Sequence, residues 1–241
     1  MKLYEMLQVV PGITSVVGSG GKTALLDALA RELPGTVILA TSTHILPFAG
    51  MPLLTHPSER DVRDALKRSR CACVGTPTES GRLTAPCLDF GTLARCATYV
   101  LVEADGSHRL PLKAHADWEP VCPPDTGRTV LVVGISGLGR PLDEVVHRHE
   151  LLCGRLAVPQ DAIATPALVA QGIAWELEHG IMRPDVLLLN QCDTPRDHAL
   201  ASQLARELTA LLKDRSMPVC TTCLPARGAR RDRGRQTPPI S

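Results

Sequence analysis

Seven mostly apolar runs suited to β-structure recur along the chain, at 13–17, 36–41, 71–75, 98–103, 129–134, 186–190 and 218–221, and amphipathic helical patterns separate several of them. Short apolar runs without strict alternation are the mark of strands buried on both faces, and parallel strands need crossovers long enough to hold a helix. The expected fold class is therefore α/β, a mostly parallel sheet with helices on both faces. Helix signals are clearest at 58–69, where Ser58 can cap, at 166–179, where Thr165 caps and Pro166 takes the first turn, and at 195–213 after Thr194 and Pro195. In the last of these Leu200, Leu204, Leu208, Leu211 and Leu212 fall on one apolar face. Residues 76–97, interrupted by Gly81, Pro86 and Gly91, read as a hairpin or an irregular crossover.

The first run leads into Gly18-Ser19-Gly20-Gly21-Lys22-Thr23 and then an alanine- and leucine-rich helical stretch. Strand, glycine turn and helix in that order form a phosphate cradle. Glycines let backbone N–H groups approach a polyphosphate, the helix N-terminus adds positive dipole, Lys22 neutralises charge and Thr23 offers a hydroxyl to Mg²⁺. The loop is two residues shorter than the usual P-loop, because Val16 stands where the first glycine would be. The short form resembles the loop of Mur-type ATP-dependent ligases, so ATP and GTP both remain open as the nucleotide.

Ligands of open parallel sheets gather at the carboxyl ends of strands, so the residues just past the end of each run carry the most information about chemistry. Tyr99 to Glu103 delivers two carboxylates, Glu103 and Asp105, on one side if the strand persists. One is expected to hold Mg²⁺ with Thr23, and that role is assigned to Asp105; Glu103 is expected to orient water or act as a switch. Thr43 and His44 end the second run and can reach a metal, a phosphate or a second substrate, or simply make local hydrogen bonds. Asn190-Gln191-Cys192-Asp193 resembles the Asn-Lys-x-Asp element with which GTPases read guanine, Asp193 accepting from the base. Gln191 replaces the lysine, and Asp193 equally suits the start of a helix. Arg109 and Lys113, in a polar loop after the carboxylates, are candidates for binding phosphates or an anionic cofactor, with Glu119 as a partner. His147 and Arg148, expected on a helix with His149 and Glu150, complete the candidate second site.

Composition narrows the classes. Two each of Trp, Tyr and Phe and no basic stripe argue against a nucleic-acid partner. No run is long enough for a membrane helix, and the N-terminal stretch is no secretion signal, so a cytoplasmic location is expected. Nine scattered cysteines fit a reducing compartment; Cys71, Cys73, Cys220 and Cys223 could supply thiolates to zinc, but idle thiols are the better reading. Residues 1–224 are expected to form a single domain. The tail at 225–241 holds five arginines against Asp232, leaving the body at −3, and has the composition of a disordered segment.

Together, Gly18 to Thr23, Thr41-Ser42-Thr43-His44-Ile45, Glu103-Ala104-Asp105-Gly106-Ser107-His108-Arg109-Leu110-Pro111-Leu112-Lys113 and Val146-His147-Arg148 resemble the YqeC family over residues 1 to about 220. The Glu-Ala-Asp-Gly-Ser stretch with Leu-Pro-Leu-Lys downstream is unusual among P-loop proteins. Members commonly read Thr-Thr-Thr-His where this chain has Ser42. The family is described, from genomic association, as an accessory factor of selenium-dependent molybdenum hydroxylases, so the resemblance implies a P-loop NTPase-like fold and a partner among those hydroxylases or their cofactor-synthesis proteins. A more distant likeness to the metallochaperone GTPases of nickel and cobalamin enzymes implies a switch at Glu103 to Gly106. Two other functions stay open: a small-molecule kinase or ATP-dependent ligase acting on an anionic substrate, and a scaffold that retains nucleotide without turning it over.

Overall fold

Each of the seven runs is a strand in the computed structural model, which describes residues 1–213 and 217–224. The basic tail lies outside the described residues. After α1 (Leu3–Met6) come β1 (Gly12–Gly18), α2 (Lys22–Glu32), β2 (Val37–Thr41), β3 (Leu53–Leu54), α3 (Glu59–Arg68) and β4 (Cys71–Val74). The segment left ambiguous by its glycines folds as a small antiparallel hairpin, β5 (Thr76–Pro77) with β6 (Leu83–Thr84), and then α4 (Phe90–Cys96). The second half holds β7 (Tyr99–Glu103), β8 (Leu112–Lys113), β9 (Thr126–Gly134), a 3₁₀ turn at Ile135–Gly137, α5 (Leu142–Val145), β10 (Val146–His147) and α6 (His149–Leu156). It closes with α7 (Pro166–Glu178), β11 (Val186–Asn190), α8 (Pro195–Leu211) and β12 (Val219–Thr221).

Eight strands form one sheet in the order β12-β11-β9-β1-β7-β2-β4-β3, every pair parallel. Both edges are short, two residues in β3 and three in β12, which leaves little unpaired backbone. Alternation along β1 divides its side chains between two cores. Val16 joins Leu25, Leu26 and Leu29 of α2 on one face, and Val17 joins Val169 and Ile173 of α7 and Leu204 and Leu208 of α8 on the other. Leu200 and Leu212 also pack on that second core, but Leu211, expected beside them, is 45% exposed at the last residue of α8.

Ser58, Thr165 and Thr194 each cap a helix with a side-chain oxygen, as their positions lead one to expect. Two expectations need correcting. Strand β7 ends at Glu103, so Asp105 is not its continuation. His147 is not helical: Val146 and His147 pair in parallel with Leu112 and Lys113, and Arg148 then turns through a left-handed conformation before α6 begins. Among the described residues no helix is long and apolar enough to cross a membrane.

The topology brings five strand ends to one edge. In register, Thr41 lies beside Glu103, Glu103 beside Val16, Val132 beside Gly18, and Asn190 beside Gly134. The chain builds outward from β1 in one direction, returns at β7 and continues on the other side from β9. Strand β1 therefore ends where the winding reverses, the place at which such sheets open a crevice.

Candidate functional site: the cradle at the end of β1

Between Gly18 and the first turn of α2 the backbone adopts conformations open mainly to glycine, with φ of +87° at Gly20 and +124° at Gly21. Space is equally restrictive: a Cβ on Gly20 would lie 2.2 Å from Gly134 Cα, and one on Gly21 2.2 Å from Asn190 Nδ2. Gly21 is the N-cap of α2 and no side chain caps it, so the amides of the first turn keep the positive end of the helix available to an anion. Asn190 fixes the loop from the side. Its Nδ2 donates to Gly20 O at 2.8 Å, and its Oδ1 accepts from the Leu224 amide at 3.0 Å.

Lys22 is buried and points back into the loop. Its Nζ sits 3.0 Å from Asp105 Oδ1 and donates to Gly18 O at 2.5 Å and Ser107 Oγ at 3.2 Å. Thr23 turns to the other carboxylate, donating to Glu103 Oε2 at 3.0 Å. The two acidic residues thus reach the same cradle by different routes, Glu103 from the strand end and Asp105 from the turn after it. Thr41 supports this edge by donating to the Glu103 carbonyl at 2.8 Å, and it accepts from the Thr43 amide at 3.0 Å. Thr43 is half-buried there and His44 is exposed.

Asp105 is fully buried and crowded with donors. Its Oδ2 accepts from the Gly18 amide at 2.8 Å and His115 Nε2 at 2.9 Å, with Lys113 Nζ at 3.2 Å. Burial by itself would raise its pKa, but Lys22, His115 and Lys113 outweigh that and hold the carboxyl well below the usual carboxylate range. His115, also buried, lies between two carboxylates, with Nδ1 2.7 Å from Glu176 Oε2. Burial pulls its pKa down, and hydrogen bonds to Asp105 and Glu176 pull harder the other way, so the ring is more basic than free imidazole. Arg155 finishes the line, donating to Glu176 Oε1 at 2.9 Å and to the His115 carbonyl at 2.6 Å.

Neither Glu176 nor Arg155 stands out in the sequence. The available signal is Glu176 itself, a carboxylate three residues after Ile173 on the buried stripe of a mostly apolar helix, where an unpaired charge would be prohibitively costly.

The remaining candidates divide. Lys113 is inside, not on the surface: its Nζ binds Asp105, Gly106 O at 2.5 Å and, as the loop reading anticipated, Glu119 Oε2 at 2.8 Å. Glu119 also pairs closely with Arg148. Burial would raise the Glu119 pKa, but Lys113 and Arg148 bring it below its ordinary value. His108 and His147 stack with centroids 4.5 Å apart, while Arg109, next in the chain after His108, is exposed. Asp193 is exposed and accepts from Cys223 Sγ at 2.6 Å; the helix cap beside it is Thr194, in a reciprocal box with Asp197. Gln191 Oε1 accepts from Ser136 at 2.6 Å. All nine cysteines are free thiols, and burial pushes Cys192 up to about 11.

A family model described as YqeC protein matches residues 14–150, a span that contains the glycine loop, both carboxylates, Lys113, His115 and Arg148. A protein of Escherichia coli (strain K12) described as "Uncharacterized protein YqeC" is 32% identical over 162 residues, 63% of this chain and 63% of that protein. The match thus spans less than two thirds of the relative's length.

Proposed function

The chain belongs to the YqeC family, and we propose that it binds a Mg²⁺-nucleoside triphosphate, ATP or GTP, at the end of β1 and hydrolyses it as an accessory protein in the maturation of a selenium-dependent molybdenum hydroxylase or its cofactor. The observation that carries the nucleotide part is the uncapped start of α2 preceded by glycines that no other residue could replace and filled by a buried lysine. The hydroxylase part rests on the family resemblance alone.

In this reading the first-turn amides of α2 and Lys22 hold the phosphates. An ammonium has three donors, and Lys22 directs its three at Asp105, Gly18 O and Ser107. An incoming phosphate takes the place of the longest contact, Ser107 at 3.2 Å, leaving the ion pair to Asp105 intact. Asp105 positions Lys22 and the Gly18 amide. Its existing partners make it a poor metal ligand, so the role expected of it passes to Glu103, which with Thr23 forms a set of hard oxygen donors suited to Mg²⁺. A bound Mg²⁺ would neutralise charge on the phosphate oxygens. The same Glu103 joins β2 to the cradle through its carbonyl, which accepts from Thr41.

The test is calorimetric titration of ATP and GTP with and without Mg²⁺ on wild type, Lys22→Ala and Asp193→Ala. Loss of one charge-assisted contact, roughly 1.5–3 kcal/mol, lowers the affinity of Lys22→Ala at least tenfold. GTP binding weakened in Asp193→Ala identifies guanine; ATP binding indifferent to it favours adenine. If neither nucleotide binds the wild type, the reading is wrong.

A further inference from the structure

One exposed surface remains outside the cradle's chemistry. Trp118 is 72% exposed, and the Arg148 guanidinium lies over its ring at 5.6 Å. Next to Arg148 in the chain is His147, which stacks on His108, and next to His108 is Arg109. Two contacts and chain adjacency thus link an indole, a stacked pair of imidazoles and a cation. Arg148 is committed to Glu119, but Arg109 pairs with no carboxylate among the described residues.

The patch is attached to the cradle twice. Ser107, which Lys22 contacts, directly precedes His108, and a buried series of ion pairs runs from Lys22 through Asp105, Lys113 and Glu119 to Arg148. The segments that carry it are held in conformations that side chains seldom choose, φ being +49° at His108, +65° at Arg109 and +60° at Arg148. Such strain persists where the surroundings impose it, commonly at binding sites. His147 is lowered to about 4, first by burial and then by Arg148, Lys113 and His108, so at neutral pH its ring is an uncharged stacking surface.

We propose that this patch is a second small-molecule site, which takes a planar heteroaromatic ligand carrying a phosphate, the ring against Trp118 and the stacked imidazoles and the phosphate on Arg109. That this ligand is the acceptor or effector of the nucleotide bound at Lys22 rests on the function proposed for the cradle; the binding itself does not. A flat π face and a lone exposed cation suit a ring and an anion in one molecule. The rigid ion-paired support favours a small ligand over a protein segment, because little ordering is left to be done on binding.

Trp118 gives a direct readout. The chain has two tryptophans, so Trp175→Phe leaves Trp118 as the sole tryptophan, excited selectively at the red edge where tyrosine does not absorb. In that background, adenosine monophosphate, guanosine monophosphate, adenosine and inorganic phosphate are titrated against fluorescence, with and without Lys22→Ala. The expected result is saturable quenching by a monophosphate at least tenfold below the midpoint for adenosine or phosphate alone. It survives Lys22→Ala and weakens at least tenfold in Arg109→Ala, whose melting temperature is unchanged. No saturable quenching, or quenching indifferent to Arg109, overturns the proposal and leaves the patch as a surface for a macromolecule. Quenching abolished by Lys22→Ala also overturns it, since the probe then reads the cradle. Failure of the cradle is seen separately, in the calorimetry of nucleoside triphosphates.

Discussion

Asp105 and His115 shape the site's response to pH in opposite ways. Asp105, held below its ordinary 3.8, contributes stability that is complete above that value and lost as pH falls through the lower folded one. His115, held above its ordinary 6.5, contributes stability that is complete below 6.5 and lost as pH rises through the higher folded one. The groups facing the imidazole are Asp105 and Glu176, with Lys22, Lys113 and Arg155 behind them. Removing one member of such a buried set leaves charges uncompensated, at a cost of about 3–5 kcal/mol. His115→Gln should therefore be destabilised most below pH 6.5, with the deficit in melting temperature against wild type shrinking at higher pH; a deficit constant across that range would contradict a protonated ring. Lys22, Thr23, Glu103 and Asp105 were legible in the sequence because glycines and strand ends announce them locally. His115 was visible only as one polar residue of a loop, and its bond to Glu176 joins positions 61 residues apart, a relation that no local pattern encodes.

At the level of helices and strands, local chemistry is a good guide where elements are long and a poor one where they are short. Strands of four or more residues have an apolar run to show for themselves, and helices capped by Ser58, Thr165 and Thr194 have a start signal. A two-residue strand has no period. β8 and β10 exist only because they lie against each other, which is why His147 reads as helical from its neighbours. The capping box at Thr194, whose Oγ1 accepts from the Asp197 amide at 3.2 Å, serves α8 alone. Thr194→Ala should cost about 1 kcal/mol, roughly 2–4 °C in melting temperature for a chain of this size, and leave nucleotide affinity unchanged. A loss of affinity in that variant would mean that α8 communicates with the cradle.

For the molecule as a whole, the decisive contact is the one that Asn190 makes with Gly20, across 170 residues of sequence. Composition and periodicity foretell the sheet but not which strand ends meet, and this bond depends on β9 and β11 taking their places beside β1. Asn190→Ala removes one hydrogen bond to the loop, worth about 0.5–1.5 kcal/mol, and should weaken nucleotide binding two- to tenfold with the fold retained; calorimetry beside circular dichroism checks both halves. The same contact sets a clock on the ribosome. At about 5–20 residues per second, roughly ten to thirty seconds separate the translation of Gly20 from that of Asn190. Through that interval the glycine loop exists as sequence without its clasp, and the cradle is complete only once β11 has been made.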